Sequence, residues 1–131
     1  EFRRIVEPGI AELDAKKRTT QQIEQLVAAL DDMRNAKTHA EMVEADVQFH
    51  EVLLSASNND LLIPFSILID ETLASLFDFT AQRNPKFKQA LKLHEAIARA
   101  IVAGDAVAAR KAMLALLDDT DEIVAMTAKR N

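Results

Sequence analysis

Only two glycines and three prolines interrupt 131 residues, and this scarcity of chain breakers restricts the fold more than any other feature. A β-sandwich or barrel turns about every 8–12 residues, and its turns lean on glycine and proline. Alanine, leucine, glutamate, lysine and arginine dominate instead, the residues from which long helices are built. The expected fold class is therefore all-α. A chain of this length fits one domain with a real hydrophobic core.

Helix boundaries follow from caps and breakers. Phe2, Ile5, Val6, Gly9, Ile10 and Leu13 carry helical spacing with no capping residue ahead of them, so the chain is expected to begin inside a helix, as a separated domain would. Thr19-Thr20-Gln21-Gln22 and Thr38-His39-Ala40-Glu41 are capping boxes that open the second and third helices. The third runs to about Ser57, and Asn58-Asn59-Asp60 turns into a fourth from about Leu61 to Gln82, with Pro64 near its first turn. Its apolar residues spread so widely that it lies deep in a bundle or shares a face with a second subunit. Asn84-Pro85 breaks the chain, a fifth helix runs to Ala103, Gly104 ends it, and Asp105 caps a sixth. The helices are expected to pack antiparallel, as a single domain over residues 1–131.

Composition excludes several functions. With no cysteine, there is no disulfide scaffold, thiolate metal site or cysteine nucleophile. A formal net charge of −5 is wrong for a phosphate-binding surface, so any contact with DNA is expected from another segment. No apolar run reaches the length of a membrane span, and the expected location is cytoplasmic.

Polar residues stand where apolar ones belong. At about 100° per residue from Met42, the apolar residues Val43, Val47, Phe49, Leu53 and Leu54 centre near 60°, with Asp46 at about 40° and His50 at about 80°. In the fifth helix, Phe87, Ala90, Leu91, Ile97, Ala98 and Ile101 surround His94. An ionised carboxylate on a core face is costly unless it is paired. Asp46, His50 and His94 thus form either a buried hydrogen-bonded cluster or a site for a divalent metal. Arg3 lies on the shoulder of the first helix's apolar arc, where a snorkelling stem and a ligand-binding role both fit. Thr72 and Arg83 fall on the apolar arc of the fourth helix, placed to line the same cavity, although Arg83 is near enough to the helix end to reach water. His39, just behind its cap, is expected to be solvated.

These positions come in a recognisable order: an E-x-R-x-x-x-E start over Glu1, Arg3 and Glu7; D-x-x-F-H over Asp46, Phe49 and His50; then Ala56-Ser57-Asn58-Asn59. His94-x-x-Ile97-x-x-Ala100-Ile101-x-x-Gly104-Asp105 follows, with Ala109, Ala112 and Met113 after it. The chain resembles the C-terminal ligand-binding domain, or FCD domain, of FadR-subfamily GntR regulators over essentially its whole length. The resemblance implies an antiparallel bundle of six or seven helices around an internal ligand pocket. In the full protein, a winged helix-turn-helix DNA-binding domain would precede it. It also implies homodimerisation and an effector that is a fatty acyl thioester or, more often in the family, a small organic acid. In the metal-containing branch of the family, Asp46, His50 and His94 would be ligands, with zinc, nickel or manganese as candidate ions. A further histidine of the family pattern falls on Leu116, so this chain departs from it there. His94 lies ten residues before Gly104 and Leu116 twelve after it, which places them at nearly the same level of an antiparallel hairpin.

The leading expectation is an effector-sensing and dimerisation domain with no catalytic residues, in which a small acid reaches the metal together with Arg3, Thr72 and Arg83. The alternative is a metal-dependent helical-bundle enzyme using a 2-His-1-carboxylate site. Against it, Val47 and Leu91 stand three residues before His50 and His94, where di-iron bundles carry glutamate.

Overall fold

The computed structural model describes residues 2–68 and 87–129. Within them the backbone forms α1 (Phe2–Lys17), α2 (Thr20–Asn35), α3 (His39–Ala56), a 3-10 helix over Asp60–Phe65, α4 (Phe87–Ala103) and α5 (Ala106–Lys129). No strand occurs among the described residues, and the fold is all-α. The last two helices are the fifth and sixth of the sequence reading.

Both capping boxes form. Thr19 and Thr38 each accept a bond from the backbone N–H three residues on, while the Gln22 and Glu41 side chains reach back to the cap N–H. Each satisfies two donors that a helix start would otherwise leave open. Asn58 closes the other end of α3 in a left-handed conformation (φ 50°) and donates from its side chain to Lys17 O, tying that turn to the end of α1. Gly104 ends α4 at φ +72°, and a Cβ there would lie 3.1 Å from the Arg18 guanidinium. That guanidinium donates to Val102 O at the end of α4. Backbone conformation and the close approach of Arg18 therefore both favour glycine.

The segment expected to open a fourth α-helix at Leu61 begins instead as the 3-10 helix, capped by the Asn59 side chain on Leu61 N–H. Pro64 supplies the reason: it has no N–H to bond to Asp60 O, and its ring crowds that carbonyl, so the tighter turn replaces the α-turn. Helical geometry continues through residues 66–68. Leu61 and Ile67 are 81% and 64% exposed, so this stretch does not lie deep within the bundle. The remainder of the expected fourth helix, including Thr72 and Arg83, lies outside the described residues.

α4 and α5 form a hairpin across Gly104, and α1 packs along α5. α2 and α3 form a second hairpin; α1 touches α3 and α4, and α2 also touches α4. The core between them is apolar, with Phe49, Met33, Ile97, Ala109 and Met113 wholly buried. At the junction of α1, α3 and α4 the core changes character and becomes ionic.

Candidate functional site

Asp46 and His50 project from successive turns of α3, and His94 from the middle of α4. All three are buried, at 4%, 2% and 3% exposure. His50 Nε2 and His94 Nε2 lie 3.2 and 3.1 Å from the same atom, Asp46 Oδ1. α1 adds two residues: Glu7 Oε1 is 2.6 Å from His50 Nδ1, and Arg3 Nε donates to Glu7 Oε2 at 2.6 Å. A buried chain of polar contacts thus runs Arg3–Glu7–His50–Asp46–His94. Phe49 packs edge-on against both imidazoles, with ring centroids 5.7 Å from His50 and 5.0 Å from His94, and walls the cluster on one side.

Electrostatics follow from these contacts. Burial alone would drive the Glu7 carboxyl up, but His50 and Arg3 overcome it and hold Glu7 down at about 2. Burial opposes the charged form of His50 as well, yet the Glu7 and Asp46 carboxylates raise it to about 9. Asp46 is likewise held well below the usual carboxylate range, against its burial, by His94 and His50. Arg3 and His50 thus stand as cations between and beside the Glu7 and Asp46 carboxylates.

The two imidazoles identify what the cluster can hold. His94 Nδ1 is 2.7 Å from Ala90 O, and a carbonyl only accepts, so Nδ1 carries a proton. His94 Nε2 then faces a carboxylate oxygen, the nitrogen and oxygen being placed to share a cation between them. The contacts of His50 are short but off the line of its ring N–H bonds, so both buried nitrogens lack an aligned hydrogen bond among the described residues. Such a group is costly unless something else engages it. The ligand atoms of Asp46, His50 and His94 all fall within 4.8 Å of one another. Ligands about 2.0–2.1 Å from a tetrahedral zinc sit about 3.3 Å apart, close to the two measured N–O separations. The donor set fits a divalent ion.

Leu116, at the position of the family's further histidine, is buried on α5, which packs against α4. It brings no donor, so Asp46, His50 and His94 remain as the candidate ligands of that pattern. Arg3, expected on the shoulder of the α1 arc, is buried at 8% exposure and joined to the cluster through Glu7. His39 is exposed, as expected. Clefts bounded by Asp32, Glu41, Glu44 and Gln48 open on the opposite face of α3, away from the cluster.

Sequence reasoning placed Glu7 in a motif without giving it a role and passed over Asp14. Apolar spacing had centred the α1 stripe on residues such as Ile5, which is 74% exposed. The buried face instead runs through Arg3, Glu7, Ile10, Ala11, Asp14 and Ala15. Three charged residues at helical spacing among alanines were the available signal, and a wheel scored on hydrophobicity alone overlooks it.

The FCD domain family model matches residues 1–119. The chain belongs to the FCD domain family. It is 31% identical over 130 residues to the HTH-type transcriptional regulator LutR of Bacillus subtilis, covering 95% of this chain and 59% of that protein. It is 32% identical over 119 residues to the galactonate operon transcriptional repressor of Escherichia coli, covering 89% of this chain and 52% of that protein. A solved structure described as Streptococcus agalactiae GntR superposes with a TM-score of 0.73 at 27% identity, over 98% of this chain and 56% of the other. The chain thus spans just over half the length of these relatives. They are regulators, and the enzymatic alternative finds no support among them.

Proposed function

We propose that this domain is the effector-sensing and dimerisation part of a transcription regulator. A small organic acid would bind beside a divalent cation held by Asp46, His50 and His94, and would change how a DNA-binding domain elsewhere in the protein engages its operator. The convergence of both histidine Nε2 atoms on Asp46 Oδ1 carries the metal part of this reading. Charge supports the acid. A divalent ion would add positive charge to the buried cluster, which a carboxylate at an open coordination position would offset. Arg3, joined to the cluster through Glu7, is proposed as the guanidinium to which that carboxylate would turn, with Thr72 and Arg83 as further contacts. Zinc, nickel and manganese all suit a nitrogen and oxygen donor set. The homodimer is proposed on the exposed Leu61, Ile63, Ile67 and Leu68, a run of apolar side chains that water disfavours. No helix among the described residues is long and apolar enough to cross a membrane. Binding regulates only by favouring one arrangement of the protein over another.

Titration calorimetry with zinc and with nickel tests the site. The parent should bind, His94→Ala should weaken binding at least about 100-fold while retaining helical content, and Leu116→His should tighten it roughly tenfold by adding a fourth ligand. A parent that binds neither ion, or variants that both bind as the parent does, would overturn the metal site.

A further inference from the structure

We propose that Glu7 is a positioning residue for the metal site: lying 2.6 Å from His50 Nδ1, it would accept a hydrogen bond from that nitrogen in the metal-loaded protein, so that Nε2 of the same ring is presented beside Asp46, and Arg3 holds Glu7 in place. The proposal deepens the metal reading above and rests on it.

The argument is a comparison of the two histidines. Each has Nε2 close to Asp46 Oδ1 and an oxygen close to Nδ1: Ala90 O at 2.7 Å for His94, in hydrogen-bonding geometry, and Glu7 Oε1 at 2.6 Å for His50, off the line of the ring N–H and thus a contact that the metal-loaded ring would have to align. A histidine that binds a metal through one nitrogen is oriented by what the other nitrogen donates to. Ala90 lies one turn away on α4, so His94 is oriented by its own helix. His50 is oriented from α1, a different helix. Its acceptor is also a carboxylate, which makes the imidazole a stronger donor to a cation than a neutral carbonyl does. Glu7 is itself fixed, because its second oxygen is taken by Arg3 Nε at 2.6 Å and the pair is buried. Arg3 therefore acts at two removes from the ion, and α1 is tied to whether the site is filled.

A merely structural ion pair would predict loss of stability and nothing specific to His50. Two readouts separate the readings: long-range 15N–1H correlation spectra, which report the tautomer and ligation of each histidine, and zinc affinity by chelator competition. In the zinc-loaded parent, both His50 and His94 should show a protonated Nδ1 and a ligated Nε2. Glu7→Ala should weaken zinc binding about 100-fold and release His50 from its fixed tautomer, with the His94 pattern unchanged. Glu7→Gln keeps an acceptor oxygen without the charge; it should retain the His50 tautomer and weaken zinc binding only about tenfold. Should Glu7→Ala fail to fold, Glu7→Gln decides alone, and zinc affinity within twofold of the parent overturns the proposal. Equal zinc affinity of parent and Glu7→Ala overturns the role of Glu7 and leaves the metal site standing. Equal disturbance of His50 and His94 makes Glu7 a structural residue and also overturns it. A parent that binds no zinc overturns the metal reading, and this proposal with it.

Discussion

Glu7 and Asp14 lie two turns apart on the buried face of α1, at 2% and 0% exposure, and their carboxyls are driven in opposite directions. Glu7 contacts Arg3 and His50 and is held at about 2. Asp14 has no hydrogen-bond partner for either oxygen among the described residues, and burial alone pushes it up to about 9. Burial is nearly the same, so the difference comes from the partners. Where α1 meets α3 and α4, a buried carboxylate stays charged and takes part in an ionic chain; farther along, the same group is kept as a neutral acid. The contrast separates a region organised to hold charge from one that merely tolerates a polar side chain.

The strongest way to break this contrast is to strip the charged region of its central cation. His50→Ala leaves Glu7 and Asp46 facing each other across a buried space, with Arg3 and His94 as remaining partners. Removing one member of a buried ionic network costs about 3–5 kcal/mol, because the charges left behind are desolvated and unpaired. Urea denaturation without added metal at neutral pH should register a loss of that size, with an unchanged slope. A loss below about 1 kcal/mol would mean that the chain of charges contributes little and that Glu7 and Asp14 differ less than their contacts imply.

Asp14→Asn sharpens the contrast from the other side. A carboxyl raised from 3.8 to about 9 binds its proton more tightly folded than unfolded. In that interval the folded state holds more protons than the unfolded one, so stability falls as pH rises, by up to ~1.4 kcal/mol per pH unit. The penalty is absent below the unfolded value and complete once pH passes the folded one. Asparagine does not titrate. Its own buried N–H groups offset part of the benefit, leaving an expected gain of about 1–3 kcal/mol near pH 8 and a smaller or reversed effect near pH 4. Thermal unfolding of parent and variant across that range is the measurement. Parallel pH profiles would show that Asp14 is ionised and has a partner.

What the sequence could and could not disclose follows the same line. Capping boxes, the Gly104 stop and the inward placement of Asp46, His50 and His94 are local properties, set by spacing along one helix, and they were legible. The 3-10 opening at Asp60–Phe65 was not, because proline near a helix start is compatible with either geometry until the Asp60 carbonyl is placed. The buried face of α1 was misplaced for a different reason. Periodicity counts apolar residues, whereas this face is built from Arg3, Glu7 and Asp14 set among alanines. Their burial depends on partners from α3, α4 and α5, and a one-dimensional pattern contains no such information. The role of Glu7 depends on His50 of α3, 2.6 Å away and 43 residues on in the chain, which spacing within α1 does not encode.

The smallest expected effect is at Arg4, the neighbour of Arg3 on α1. Its guanidinium donates to Asp118 at 2.9 Å and to Asp121 at 2.6 Å on α5, so by distance alone it is paired as well as Arg3. The three side chains are 41%, 67% and 69% exposed, however, and water and salt compete for every charge. Unfolding exchanges these ion pairs for hydration at almost no net cost, and the long Arg4 side chain regains its freedom. Arg4→Gln should therefore leave the denaturation midpoint and the zinc affinity within error of the parent at physiological salt, with any small loss fading as salt is raised. A clear, salt-resistant loss would show that the α1–α5 seam is held by charge at its surface. Pairing would then matter as much outside the core as within it, and the contrast between Glu7 and Asp14 could no longer be attributed to buried partners alone.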